Sequence, residues 1–539
     1  MSRIKVLLTT NILHKEYGEP IGILFLAAYL RQNGIVVDVY DPEIYGDNDL
    51  NTLLSICNKN QYQFIGISVL TSSDESITTV ANMAKTIHKE LPYSIIGCGG
   101  IGASLRYQDF IKVEFVDLVV IGEGENTVLE IVSMIRNNDM KSLENIHGVV
   151  TKHNLYYTKR TLISNLDSLP FMARDTLDER IKELSSQMVS QFELRIFCGR
   201  GCFGSCTFCA NIAARKMCNG NSYRQRSIEN LTMEMELLHN KYGVSRFSFW
   251  DDNFIPRGDA GYKKIKEIYD MVKKLSFIPI LGIQTRVDTV NDEKIKILQA
   301  AGVQNVYLGV ENIDVDELNI LGKHVSPQQI RDALTVLYKY GYSYNSESQY
   351  RLRIGYIAFN PYTTINAVRR NFDFMDKFNI PINKLNKKLL AFHGTRIRER
   401  IENDNLLKDG FDWKFVHSGV EQLYLSINTI VNLYLTYYDK IRFISKIAKF
   451  GRLKINWDEV DVIKKELHCV TKRAIKNICY TAEKDDSKAT NMDDVIVHSI
   501  KELNQVAIKF SIEENYVDFI KRNASIVEKF HRVAYVFFD

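Results

Sequence analysis

Along the first 130 residues, short apolar and β-branched runs alternate with stretches whose apolar positions recur at helical spacing. IKVLLTT, VVDVYD, FIGISVL (64–70), SIIGCGG (94–100) and VDLVVIGEGE (116–125) read as strands. IGILFLAAYLRQNG, closing on Gly34, SITTVANMAKTIHKEL and NTVLEIVSMIRNN read as helices. Such alternation predicts an α/β domain with a doubly wound, Rossmann-like parallel sheet. Ligands of such sheets sit at the carboxyl ends of the strands. Here those ends are 68–72, 97–102 and 122–124, all rich in Gly or Ser, where backbone can approach a ligand closely.

The rhythm breaks at 145–190, where HGVVTKHNLYYTKR reads as a small hairpin and NLDSLPF carries a turn-forming proline. It resumes from 192 as ELRIFCGRGC, SRFSFWDDNF, ILGIQTRVD, VQNVYLGVEN, LRIGYIAFNP and NKLNKKLLAF, with helices between. About six strand–helix units predict a partial or full α/β barrel with its chemistry at the C-terminal strand ends. Beyond 400 the strand pattern stops. LYLSINTIVNLYLTYYDKIRFISKIAKF is helical, and its aromatics (Tyr424, Tyr434, Tyr437, Tyr438, Phe443, Phe450) fall at core spacing. The tail KFHRVAYVFFD is apolar and expected to pack on the barrel. The expected division is 1–140, a Rossmann-like domain; 141–190, a connector; 191–400, the barrel; and 401–539, an α-helical C-terminal region.

Composition narrows the partners. With 45% hydrophobic and 25% charged residues the 539-residue chain is globular. A net charge of +4, from 69 basic and 65 acidic side chains, rules out a strongly basic nucleic-acid coat, and no nucleic acid is expected. The longest apolar run, IGILFLAAYL, is too short to span a bilayer. The N-terminus reads as a first strand and not a signal peptide, so a cytoplasmic location is expected. In a reducing compartment, clustered cysteines point to metal or redox chemistry more than to disulfides.

Five of the nine cysteines fall between 198 and 218, where an even spread would place fewer than one. Cys202, Cys206 and Cys209 have the spacing C-x3-C-x2-C on a loop with Gly199, Gly201 and Gly204. Three thiolates on a tight glycine-rich loop can converge on one iron–sulfur cluster and leave one iron open. With Cys198 or Cys218 as a fourth ligand, a closed zinc site or a ferredoxin-type cluster is the alternative; a third is a set of scattered buried thiols.

RGCFGSCTFC, with an aromatic before its last cysteine, resembles the signature of the radical S-adenosylmethionine (SAM) superfamily. That resemblance implies a partial (β/α)6 radical SAM barrel and a 4Fe-4S cluster on Cys202, Cys206 and Cys209, with SAM on the open iron. It implies that Phe208 lies against the SAM adenine, Asp252 of DDNF binds the amino group and Arg286 of QTRVD the carboxylate. Glu311 of LGVEN would accept hydrogen bonds from ribose or methionine. GYIAFNPYTT (355–364) and FHGT resemble the family's later strand ends. Cys198 and Cys218 are read as non-ligands.

The first domain resembles the cobalamin-binding domain that precedes many radical SAM barrels. Ser68-Val69-Leu70 matches its S-x-L motif and Gly99-Gly100 its GG motif. The cobalamin contacts implied are Ser68, Leu70, Ser72, Gly99, Gly100 and Gly122. The D-x-H-x-x-G motif of histidine-ligated cobalt is absent: His14 has Ile12 two residues before it and its glycine at Gly18. His14 is read as a loop histidine, and cobalamin as bound with no histidine on cobalt. Only Cys57 and Cys98 are available for a second cluster, against a methylthiotransferase. The resemblance implies a cobalamin-dependent radical SAM methyltransferase acting on carbon or phosphorus, with an oxidative cyclase or ring-contracting enzyme as alternative. A non-catalytic iron–sulfur redox or sensor protein is the reading of another class. Expected partners are a small-molecule or peptide substrate and an external one-electron reductant of flavodoxin or ferredoxin type. No residue is assigned as a catalytic acid or base.

Overall fold

The computed structural model describes residues 4–11, 19–42, 50–182, 184–344, 348–451, 453–484 and 490–527. His14, Gly18 and the tail KFHRVAYVFFD lie outside them.

The first sheet has the order β2-β1-β3-β4-β5-β6. Its strands are β1 (Lys5–Thr10), β2 (Val36–Tyr40), β3 (Phe64–Ser68), β4 (Ile95–Gly99), β5 (Leu118–Val120) and β6 (Val149–Thr151). The first five are parallel. The crossover helices are α1 (Ile21–Gln32), α2 (Asn51–Lys59), α3 (Asp74–Glu90), α4 (Gly100–Leu105) and α5 (Glu125–Arg136). Strand order reverses between β1 and β3, the position at which doubly wound sheets open a ligand crevice. The expected hairpin at 147–160 closes through Thr151 N–H to Asn154 O at 3.0 Å and Gly148 N–H to Thr158 O at 2.8 Å, and its first limb, β6, also pairs antiparallel with β5 at the sheet edge. VVT is fully buried and returns without a crossover, so antiparallel pairing is the arrangement open to it.

A connector leads to β7 (Glu193–Ile196), and β8 (Gly199–Arg200) pairs antiparallel with β9 (Arg224–Gln225). With β10 (Arg246–Phe249), β11 (Ile280–Arg286), β12 (Val303–Glu311) and β13 (Arg351–Tyr356), β7 forms an open, all-parallel sheet of order β13-β12-β11-β10-β7. Its helices are α6 (Ala210–Arg215), α7 (Ile228–Tyr242), α8 (Gly258–Val272), α9 (Asp292–Ala300), α10 (Pro327–Lys339) and α11 (Ile365–Lys377). The sixth expected strand, NKLNKKLLAF, is reduced to one parallel bridge, Phe359 with Lys388. Asn386, Lys387 and Lys388 put three polar residues in a row where a strand would alternate. The long helices α12 (Val420–Gly451), α13 (Trp457–Lys484), α14 (Thr490–Lys509) and α15 (Ile512–Arg522) close the chain. Their apolar faces join the barrel core, Tyr434 and Phe450 among them. No helix among the described residues is long and apolar enough to cross a membrane.

The connector clamps the two sheets together. Arg174 pairs with Glu19 of the first domain at 2.8 Å, their side chains 5% and 1% exposed, and donates to Arg195 O of β7 at 2.8 Å. Arg180 pairs with Asp41, just after β2, at 2.9 Å. Removing one partner of a buried pair strands the other charge, at about 3–5 kcal/mol. Arg174→Met is therefore expected to lower unfolding free energy by about that amount in urea titrations; a loss under about 1 kcal/mol would show that Glu19 finds another partner.

Candidate active site

The cysteine loop is shaped by the β8–β9 hairpin. Gly201 has φ +106, and a Cβ there would collide with Ser222 O, so only glycine lets the two limbs close. Beyond it, Cys202 and Cys209 are half-buried and Cys206 is buried. Gly204 N–H donates to Cys202 Sγ at 3.2 Å, and Arg286 Nη1 to Cys206 Sγ at 3.5 Å. Thr207 pins the loop from both sides. Its N–H donates to Leu321 O at 2.9 Å and its hydroxyl to Ile320 O at 2.8 Å, while Ile397 N–H donates to Thr207 O at 3.1 Å. Phe208 packs half-buried against the barrel core, and Cys209 leads directly into α6.

Strand ends supply the remaining groups. After β10, Asp251 accepts Cys198 N–H at 2.8 Å and lies 3.5 Å from Lys264; burial raises its pKa above the usual carboxylate value. Asp252 accepts Gly201 N–H at 3.1 Å and the Asn211 amide at 2.5 Å, and pairs with Arg215 of α6. Both its oxygens thus brace the two ends of the cysteine loop. Asn253 accepts Arg286 N–H at 3.2 Å. Arg286, at the end of β11, donates through Nε to Asp288 at 2.8 Å and through Nη2 to Lys323 O at 2.7 Å. Burial opposes the Asp288 charge, but Arg286 and Arg257 outweigh it and lower its pKa. Glu311 ends β12 at φ +68, a strained conformation for a non-glycine residue, and accepts Lys323 Nζ at 2.9 Å. Contacts therefore run from Cys206 through Arg286 and Lys323 to Glu311. Lys323 carried no signal in the sequence: it follows an ordinary helical turn.

On the first sheet, Val69 N–H donates to Gly99 O at 2.8 Å, and Gly100 has φ +91 with Val69 O 2.6 Å from where its Cβ would stand. Ser68, Gly99, Gly100 and Gly122 line a cavity of about 360 Å³ between the domains, a small-molecule size. Its other wall comes from the barrel side: Phe197, Arg200, Asn211, Arg215, Cys218 and Asp252. Leu70 and Ser72 are not part of that lining. Leu70 is 39% exposed, and Ser72 is buried with its hydroxyl 3.3 Å from His393 Nδ1. Burial, reinforced by Arg398 and Arg106, pushes His393 down to about 4.

Four charges seal the seam beside this cavity. Arg200 donates to Glu123 at 3.0 Å and to Glu125 at 2.7 Å, and Arg224 donates to Glu123 at 2.8 Å. Burial opposes ionisation of Glu123, yet Arg224 and Arg200 hold its carboxyl down to about 2. Sequence reasoning placed GEGE at a strand end without its partners. The available sign was two acids there and arginines flanking the cysteine loop.

A B12 binding domain model matches residues 11–132, and a Radical SAM superfamily model matches 196–350. The chain joins a B12-binding domain to a radical SAM domain. An uncharacterized methyltransferase of Pyrococcus horikoshii is 27% identical over 330 residues, 60% of this chain and 67% of that one. An anaerobic magnesium-protoporphyrin IX monomethyl ester cyclase of Synechocystis is 26% identical over 60% of this chain and 62% of its own length. In fold, the cobalamin-dependent SAM radical enzyme OxsB, solved with aqua-cobalamin and SAM bound, matches with a TM-score of 0.71 at 17% identity. That match covers 96% of this chain and 80% of the other.

The radical SAM domain offers three free thiols, Cys202, Cys206 and Cys209, on one glycine-closed loop. An iron–sulfur cluster takes one thiolate per iron, so these residues would hold three of its irons. The B12-binding domain offers a glycine-walled cavity at the switch point of its sheet. At Gly99 a Cβ would meet nothing nearer than 3.6 Å, so the backbone there has room for a first side-chain atom on the cavity wall. Gly99→Leu is expected to cut cobalamin bound per chain, read by visible absorbance after reconstitution, about tenfold or more with an unchanged melting temperature. Retained cobalamin would move its site elsewhere. At the seam, a carboxyl held low adds stability that is complete above its unfolded pKa of about 4.3 and fades as pH falls towards its folded value. Glu123→Gln should remove that component, giving a urea midpoint that falls less than wild type between about pH 5 and pH 3. Parallel curves would show that the arginines do not depend on Glu123.

Proposed function

We propose that this enzyme is a methyltransferase that moves a methyl group to an unactivated carbon or phosphorus centre of a small-molecule or peptide substrate. The observation that carries the reading is a shared wall: Asp252, Asn211 and Arg215 line the interdomain cavity and also hold the cysteine loop. A ligand in the cavity and a cluster on the loop would thereby be positioned by the same three side chains. When bound, the cluster with SAM supplies a carbon-centred radical, and cobalamin supplies a methyl donor.

In this reading Cys202, Cys206 and Cys209 hold the cluster. Arg286 keeps its charge beside the loop with Nε and Nη2 held by Asp288 and Lys323 O, and Nη1, directed at Cys206 Sγ, is the group it can turn to a SAM carboxylate. Phe208 supplies an aromatic face beside the loop, and Glu311, oriented by Lys323, a hydrogen-bond acceptor. Asp252 acts here as a brace, since its oxygens are engaged on the loop and α6. Ser68, Gly99, Gly100 and Gly122 form the cobalamin wall, with Leu70 and Ser72 at its margin. The work divides over the four regions at 1–140, 141–190, 191–400 and 401–539, in a cytoplasmic setting where a flavodoxin- or ferredoxin-type protein delivers single electrons. Ring closure is the second reading, favoured by the cyclase among the relatives, which shares the matched region.

Protein reconstituted anaerobically with iron and sulfide, then given SAM and dithionite, is expected to form 5′-deoxyadenosine. Cys206→Ala should lose the cluster absorbance and form none. Wild-type protein with an intact cluster and no 5′-deoxyadenosine would overturn the assignment. With substrate, transfer of label from methyl-deuterated SAM into product separates methylation from ring closure.

A further inference from the structure

One short helix, Val315–Ile320, carries anchors for two parts of the site. Asp314 caps its start, accepting Asp316 N–H at 3.1 Å and Glu317 N–H at 3.3 Å. At its far end the carbonyls turn to other segments. Ile320 O and Leu321 O hold Thr207 of the cysteine loop, and Lys323 O holds Arg286 Nη2. Gly322, at φ +59, lets the two chains approach, since a Cβ there would stand 2.9 Å from Thr207 Cγ2. The cysteine loop and Arg286 therefore move with this helix.

A buried carboxyl fastens the helix from its inner face. Glu317 is 2% exposed. It accepts the Asn360 side-chain amide, and the Thr363 hydroxyl hydrogen-bonds it as well. Both partners stand on the loop after β13, where Asn360 N–H donates to Thr363 Oγ1 at 2.9 Å and Tyr362 N–H to Asn360 Oδ1 at 2.9 Å. No Lys or Arg among the described residues forms an ion pair with Glu317. The titratable groups that bear on it are Asp314 and Asp316 beside it and Tyr356 of β13. Arg370 of α11 gives its charge to Asp314 at 2.6 Å. A carboxylate taken out of water with two neutral partners, and with acids for neighbours, is costly. Burial, then the Asp314 and Asp316 charges, outweigh the two hydrogen bonds and push Glu317 up to about 8.

We propose that Glu317, as the neutral acid, is the positioning residue that seats this helix and, through it, the cysteine loop and Arg286. The proposal rests on the reading of that loop as the cluster site, and adds a residue outside both the cysteine motif and the strand-end set. Loss of the proton sets a further negative charge beside Asp314 and Asp316 in a site that water does not reach. The helix is then driven off its seat and its carbonyls off Thr207, so the loop is tight at neutral pH and loosens in alkali.

Amide hydrogen exchange of the full chain without cluster reads this contact directly, because Thr207 N–H is one of its hydrogen bonds. Glu317→Ala should speed exchange of peptides spanning 199–209 about tenfold and leave peptides of β4 unchanged. Glu317→Gln, which keeps the shape and neutrality of the acid, should match wild type at pH 7. Between pH 7 and pH 9 the wild-type rate should climb about threefold or more relative to Glu317→Gln, a ratio in which the intrinsic pH dependence of exchange cancels. Where Glu317→Ala does not fold, Thr363→Val, which removes one partner, should speed the same peptides about threefold at pH 7. A constant ratio of wild type to Glu317→Gln over that range, or loop exchange unmoved in the Ala and Val variants, would overturn the proposal. Equal acceleration in β4 would overturn it too, since the role is then one of global stability. Exchange needs no turnover: 5′-deoxyadenosine formation with an unmoved loop removes this inference alone, and the expected exchange pattern without 5′-deoxyadenosine removes the radical reading alone.

Discussion

A carboxylate can accept about four hydrogen bonds, and Asp252 spends that capacity on joining two structures. One oxygen takes the N–H that precedes Cys202, the other the amide of Asn211, two residues past Cys209. The loop between these points must therefore return on itself, which is what three thiols need if they are to address one cluster. Arg215 neutralises the charge and carries the arrangement into α6, whose Asn211, Ala214 and Arg215 also line the cavity. Shape of the loop, direction of the helix and position of the cavity wall all follow from one side chain that water reaches only partly.

The second organising force is charge across the domain seam. Glu123 and Glu125 lie at the end of β5 and the start of α5; Arg200 and Arg224 lie on the β8–β9 hairpin. Each arginine fork needs a matching acceptor when taken out of water, so the domains meet in a single register. The Arg174–Glu19 and Arg180–Asp41 pairs repeat the device from the connector. A near-neutral chain thus spends part of its charge internally, on alignment of two cofactor sites.

Much of this was legible in the sequence because it depends on local pattern. Apolar period separates strands from helices, and C-x3-C-x2-C on a glycine loop declares its chemistry with no partner in view. Four glycines and serines of the first domain, Ser68, Gly99, Gly100 and Gly122, reach the cavity because strand ends in a parallel sheet converge. What stayed hidden are pairings distant in sequence. Asp252 stood out as a strand-end acid, but its engagement with Gly201 and Arg215 depends on how a loop returns. Lys323 has no motif and gains its place only when the turn after β12 folds over the cysteine loop. The pairing of β6 with β5 and the reduction of the sixth barrel strand stay hidden for a related reason: short polar or three-residue segments take their pairing from neighbours.

Most of the cavity wall comes from the first domain, and residues of the barrel side such as Phe197, Arg200 and Asp252 close it, so neither domain alone encloses it. A molecule that fills it touches both domains in the assembled chain, and mass action then makes that molecule a structural strut. At a thousandfold excess over its dissociation constant it adds about 4 kcal/mol to the closed arrangement, comparable to one of the buried ion pairs. Cofactor supply in the cell thereby enters the folding equilibrium of the whole polypeptide, and a starved chain relies on its own contacts at the seam, the salt bridges and the Phe25–Phe197 ring contact among them.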